Sequence, residues 1–256
     1  MPADFPILPI LEFDPNPAAL LEPSRLVAPA DVPEHCVFCF FREVIEGLRE
    51  KRGAREVACL HSEMGRHPVY ELEIDGKRLA VIHPGMGGPL AAGTLEECIA
   101  LGCRKFIACG GAGVLDNSIA VGRAVLPTSA VRDEGTSYHY LPPSREVEPH
   151  PAALAALRAA CAAARIPFVE GKTWTTDAVY RETPGKVAAR RAEGCLTVEM
   201  EAASFFAVAR FRGVVLGQIL YGGDDVSGDE WDHRGWNRHG ARETIFGLAA
   251  AACLRL

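Results

Sequence analysis

The chain has 256 residues, 48% hydrophobic and 23% charged, which suits one large globular α/β domain. A net charge of −6 argues against nucleic acid as the main partner, and no apolar run reaches the ~18 residues of a membrane span. Nine irregularly spaced cysteines and an amino terminus broken by Pro2, Pro6 and Pro9 argue against a secreted disulfide framework, so the expected location is cytoplasmic.

In chain order, the proline-rich stretch 1–35 predicts an extended arm ahead of a single domain over 36–256. Apolar residues at helical spacing (Phe40, Val44, Ile45, Leu48) predict a helix over 39–51. Strands are predicted over 57–60, 69–74 and 78–83, the last two joined by a hairpin turn at Asp75-Gly76. A helix over 89–101 ends at Gly102, and a buried strand over 106–109 runs into Gly110, Gly111 and Gly113. Strand 124–131, helix 151–164, strand 169–176 and helix 187–193 follow. Residues 197–200 lead into a helix over 201–211, then come strand 214–221 and a closing helix within 236–256. This alternation predicts a mixed or parallel sheet with helices on both faces and a site at the strands' carboxyl ends.

Three segments carry chemistry. His83-Pro84-Gly85-Met86-Gly87-Gly88-Pro89 follows a strand and opens a helix, so its glycines allow close backbone approach and its free N–H groups favour an anion or sugar. Cys109-Gly110-Gly111-Ala112-Gly113 has the same character, and two such turns would face one crevice. Glu199-Met200-Glu201 stands where a strand hands over to a helix: the dipole alone accounts for one glutamate, whereas a ribose diol could use a carboxylate there and Met200 could wall the sugar. Cys36 and Cys39 form a lone C-x-x-C without a second ligand pair, so no metal is expected.

Gly85-Met86-Gly87-Gly88-Pro89, the glycine-rich strand end after Phe106, Val131-Arg132-Asp133-Glu134-Gly135-Thr136-Ser137 and Val198-Glu199-Met200-Glu201-Ala202-Ala203 occur in this order. Together they resemble the nucleoside phosphorylase family of uridine phosphorylase and the hexameric purine nucleoside phosphorylases. The resemblance implies a single domain with a central, mixed, partly barrel-like sheet flanked by helices. It implies attack at C1′ of a nucleoside by phosphate or water, with phosphate a co-substrate, no other cofactor, and a homo-oligomer (hexamer or dimer). It also implies that Glu201 binds the ribose hydroxyls, Met200 lines the sugar, Glu199 supports the sugar or base side, and Gly110 and Gly111 line the substrate. Phosphate would be met by Gly85, Gly87 and Gly88, by Arg25 in Pro23-Ser24-Arg25, and by Arg66, lent to a neighbouring subunit. Asp224 would protonate or hydrogen-bond the leaving base, with Asp225 its rival.

The sequence departs from this family where phosphate is usually held. Ala108 stands where phosphorylases carry arginine, Gly111 where they carry Thr or Ser, Leu90 where they carry serine and Leu21 where they carry glycine. Losing a bidentate arginine from a partly buried anion site costs about 2–5 kcal/mol. Three readings follow: phosphate held by other groups, water in its place, or nucleoside binding without catalysis. The stretch after Tyr180, Arg181-Glu182-Thr183-Pro184-Gly185, lacks the Gln and the Arg spacing of uracil readers, so Asp224 tilts the expectation towards a purine.

Overall fold

The computed structural model describes residues 8–235 and 239–256. Its strands are β1 (His35–Cys39), β2 (Arg55–Ser62), β3 (Gly65–Ile74), β4 (Lys77–Ile82), β5 (Lys105–Val114), β6 (Ala124–Asp133), β7 (Glu146–Val147), β8 (Phe168–Thr176), β9 (Cys195–Glu199) and β10 (Val215–Asp225). Helices α1 (Pro23–Leu26), α2 (Arg42–Arg52), α3 (Gly88–Leu101), α4 (Pro151–Ala164), α5 (Pro184–Ala192), α6 (Ala202–Arg212) and α7 (His239–Cys253) connect them.

The expected partly barrel-like sheet is present. β10 pairs with β6 on one edge and β5 on the other, β6 with β8, β8 with β9, and β9 returns to β5, so these strands close a ring. From β5 the sheet continues through β1 and β4 to β3 and β2. One apolar cluster unites α2, α4 and α7 with one face of the sheet, and another unites α3 and α6 with the opposite face.

β5 forks. Its first half, Lys105 to Cys109, pairs with β1, whereas Gly113 and Val114 pair with β9. The space between these two neighbours opens beside Gly110 to Ala112, and the site forms there. The predicted glycine turn over 109–113 is thus corrected to strand: Gly110, Gly111 and Gly113 lie within β5, and Gly110 and Gly111 pair with Leu220 and Tyr221 of β10. They are glycine because neighbours press on them. A Cβ on Gly110 would lie 3.2 Å from the Phe40 ring, on Gly111 3.1 Å from the Tyr221 ring, and on Gly113 3.0 Å from Val198.

Other boundaries moved for similar reasons. Cys39 belongs to β1 rather than to the following helix, because a strand buried on both faces shows no alternation. Cys36 and Cys39 fall in the two opposite apolar clusters, so they cannot share a metal ion. β10 runs on through Asp224 and Asp225 instead of ending before a polar turn. The segment ahead of β1 lies along its own domain: Ala30 N–H donates to the Leu101 carbonyl (3.0 Å), and Arg212 reaches the Pro17 carbonyl (3.2 Å).

Gly217 of β10 is packed against α4, where an added Cβ would lie 2.7 Å from Ala153 Cβ, whereas a Cβ on Gly47 of α2 meets nothing within 4 Å. Gly217→Ala is therefore expected to cost about 1–3 kcal/mol by overpacking. Gly47→Ala should be neutral or stabilising by up to about 1 kcal/mol. Thermal unfolding of the two variants checks this, and equal melting temperatures would contradict the packing argument.

Candidate functional site

The site is built on two glutamates at the end of β9. Glu199 folds back on its own chain: one oxygen accepts the Thr175 hydroxyl (2.6 Å), and the other accepts the N–H groups of Glu201 (2.8 Å) and Ala202 (2.7 Å). It thereby satisfies orphan donors at the start of α6, the role an N-cap residue usually takes. Glu201 points away from that network. Its Oε1 accepts the Gly87 N–H at 2.6 Å, joining segments 114 residues apart.

Burial pushes both carboxyls up. Glu199 reaches about 7 although three hydrogen bonds favour its ionised form, and Glu201 reaches about 8, raised by burial and further by Glu199.

The turn before α3 is shaped for this contact. Gly87 has φ +87°, a conformation other residues rarely take, and its amide faces Glu201. Gly88 is a packing residue, since a Cβ there would lie 2.6 Å from Ser204 Oγ and 3.0 Å from Thr136 Oγ1. The 131–137 stretch forms the support beneath it. Glu134 accepts the Ser204 hydroxyl (2.8 Å) and the Ser137 N–H (2.9 Å), while Arg132 donates to Ser137 Oγ (2.8 Å) and the Pro142 carbonyl (2.7 Å).

Beside Glu201 lies a cavity of about 370 Å³, within the usual range for small-molecule sites. Glu199, Met200, Glu201, Gly110, Gly111 and Asp224 all line it, together with Met86 from the glycine turn. Gly85, Gly87 and Gly88 are not among its walls; Gly85 packs on Leu90 and Gly87 shapes the cavity through Glu201. Arg25 and Arg66 also stand apart. Arg25 is exposed and donates to the Leu20 carbonyl (3.2 Å), and Arg66 is exposed and ion-paired with Glu56 (2.5 Å). A larger cavity of about 700 Å³ beneath the amino-terminal segment has its Glu96 and Arg212 already paired at 2.8 Å.

Asp224 Oδ2 accepts the Trp231 indole N–H (2.7 Å). Asp225 does not line the cavity and is spent on a turn, accepting the Ser227 N–H (2.7 Å). Sequence reasoning missed several lining residues. Glu182 enters from the loop after β8, and burial together with the Asp224 charge pushes its carboxyl up to about 7. Arg242 reaches in from α7, donating to Tyr221 Oη (3.2 Å) and Glu43 (2.5 Å) over the Phe41 ring. Phe40, Phe41 and His83 close one side, and burial, then the nearby Arg42 charge, lowers the His83 pKa. Gln218, next to Ala108 in register, has a buried Oε1 without a partner among the described residues. Ala108 itself is fully buried in the cluster with Phe38, Phe106 and Phe205, and the Tyr221 phenol fills the space a side chain at Gly111 would take. Among the described residues no His, Cys, Asp and Glu grouping could hold a metal ion, and no helix is long and apolar enough to cross a membrane.

Residues 34–255 match the phosphorylase superfamily. A guanosine phosphorylase of Halorubrum lacusprofundi is 29% identical over 210 residues, covering 82% of this chain and 86% of that protein. A uridine phosphorylase of Treponema pallidum is 32% identical over 56% of this chain, and the alignment spans 59% of that enzyme's length. The crystal structure of purine nucleoside phosphorylase from Toxoplasma gondii in complex with immucillin-H superposes with a TM-score of 0.77 at 21% identity, covering 90% of this chain and 96% of that one. AMP nucleosidase from Bacteroides thetaiotaomicron superposes at 0.72 and 23% identity, covering 88% and 89%. At these identities the structural likeness is one of fold.

Because the folded-state pKa of Glu201 is raised, its neutral form is the stabilising one. That contribution is fully present below the ordinary carboxylate pKa and is lost as pH rises through about 8. Glu201→Gln keeps an acceptor for Gly87 and removes the buried charge. Its stability relative to the native chain should grow between pH 5 and pH 8, by roughly 2–4 °C in melting temperature per kcal/mol. A pH-independent difference in thermal melts would contradict the assignment.

Proposed function

This chain belongs to the phosphorylase superfamily, and we propose that it cleaves the N-glycosidic bond of a nucleoside, preferably a purine nucleoside, with phosphate as acceptor. The observation that carries this reading is the Gly87–Glu201 hydrogen bond at the wall of a nucleoside-sized cavity that also holds Asp224. One Glu201 oxygen is fixed by the backbone, which leaves the other for the ribose diol. Met200 and Met86 supply apolar walls for the sugar. As the bond breaks, positive charge grows on the ribose and negative charge on the base. Carboxylates near the sugar favour the first, and a proton or hydrogen bond from the Asp224 side favours the second.

The acceptor would enter beside Phe40 and Phe41, where α2 begins. Arg42 opens that helix and its charge reaches His83 in the cavity wall, so Arg42 at this positive helix end is our candidate for holding phosphate. Arg25 is exposed and away from the cavity, so we give it no role. Arg66, exposed on β3, fits a role only in a neighbour's site. The reading therefore includes a homo-oligomer. Absence of disulfides among the nine cysteines is consistent with action in the reducing cytosol. Water as acceptor is the second reading, favoured by Ala108 and Gly111, which deprive the pocket of an arginine and a hydroxyl.

Incubation with a nucleoside panel, with and without phosphate, separates these outcomes. Base release that requires phosphate supports phosphorolysis, and release in its absence supports hydrolysis. Binding without release would refute both. Glu201→Ala should weaken nucleoside binding by roughly 5- to 150-fold, because it leaves the sugar hydroxyls unpaired in the cavity. An unchanged dissociation constant in calorimetry would remove Glu201 from the sugar subsite. Asp224→Asn should slow purine release by roughly 10²–10⁴ if its carboxyl donates the proton. A single-turnover rate equal to that of the native chain would exclude it.

A further inference from the structure

Glu199, Glu201, Tyr221 and Arg242 are buried ionisable side chains of the cavity wall, and each has a hydrogen-bond partner. Gln218 does not follow them. It is 1% exposed, lines the same cavity, and has no partner for its amide oxygen among the described residues. Its strand offers none: it stands between Gly217 and Ile219 on β10, and its neighbour across to β5 is Ala108. An apolar side chain would be the stable choice in that run, because an unpaired buried amide gives up its hydration and gains no bond in return. A ligand in the cavity can supply the missing bond.

Its place in the fold says which ligand group. Ala108 and Gly110 alternate with Cys109 on β5 and so share a face of the sheet, and the register gives Gln218 that same face. The Phe40 ring presses on Gly110 from this side, 3.2 Å from where a Cβ would stand, so Gln218 faces the end of the cavity that Phe40 closes. Asp224 lies further along β10, roughly 20 Å away at about 3.3 Å per residue. Displacement at C1′ sets the attacking oxygen opposite the departing base, so a polar group remote from Asp224 is on the acceptor's side. We propose that Gln218 holds the acceptor phosphate, its amide N–H donating to a phosphate oxygen and its Oε1 accepting the phosphate O–H. This rests on the phosphorolytic reading above. At neutral pH phosphate carries both bare oxygens and a hydroxyl, and a carboxamide has one group for each. The amide brings no charge; at this end of the cavity that comes from Arg42, whose field reaches His83.

The test measures KM for phosphate, KM for nucleoside and the melting temperature of the native chain, Gln218→Met and Gln218→Ala. Methionine keeps the length of the side chain and removes its amide. In both variants KM for phosphate should rise roughly 10- to 150-fold, the worth of hydrogen bonds to a charged group. KM for the nucleoside should move little, which also reports that the variants are folded. Without phosphate, Gln218→Met should melt at or above the native temperature, because it takes an unpaired polar group out of the interior. A purely structural glutamine would give the reverse, a lower melting temperature and an unmoved KM for phosphate. That result, or a loss carried by the nucleoside KM instead, overturns this inference and leaves phosphorolysis intact. If the native chain releases base without phosphate, the phosphorolytic reading fails and the inference falls with it.

Discussion

The hydrogen bond from the Gly87 N–H to the Glu201 carboxylate is the contact on which the cavity depends. It joins the amino terminus of α3 to the amino terminus of α6, two helices that pack on the same face of the sheet. A backbone donor leaves the carboxylate's remaining lone pairs in place for a ligand, and it costs no side-chain ordering. The requirement runs backwards into the sequence. The turn must carry an amide at positive φ, so Gly87 is glycine, and the next residue must sit beneath Ser204 and Thr136, so Gly88 is glycine too.

Neighbouring carboxylates do opposite work because their surroundings differ. Glu199 accepts three hydrogen bonds, from Thr175 and the start of α6, and so becomes part of the scaffold. Glu201, two residues on, is met by the Gly87 N–H and the Met200 backbone and by no side-chain donor among the described residues. Burial raises the protonation of both, and a neighbouring acid adds to it, Glu134 for Glu199 and Glu199 for Glu201. The tension is tolerable because bonded donors surround the first and a ligand can occupy the second.

Much of this was legible beforehand. α4 was read with its observed limits, and the Asp75-Gly76 hairpin lay where expected, because helical periodicity and turn chemistry are local signals. The segment 199–201 that lines the cavity is legible through the order of the motifs. What escaped was set by packing between distant segments. β1 hid in an apolar run without alternation, and the strand character of Gly110 to Gly113 was masked by glycines selected by the rings of Phe40 and Tyr221. Glu182 sits on a loop and Arg242 on a helix more than forty residues downstream of Glu199, and nothing in their local composition marks them. Only the closing of the ring brings them to one place. Arg25 and Gly88 show the converse: a local pattern suggests a ligand, while within this chain Arg25 donates to the Leu20 carbonyl and Gly88 packs beneath Ser204 and Thr136.

The closed ring also limits how such a chain can vary. β5, β6, β8, β9 and β10 each have partners on both sides, so one residue added to any of them would have to be absorbed by every register around the circle. β2 ends the sheet with a free edge and tolerates change that the ring does not. Drift in length between related chains should therefore accumulate in the outer strands and connecting loops. The loop bearing Glu182 is one of these, so its acid can be exchanged without disturbing the strands that wall the cavity.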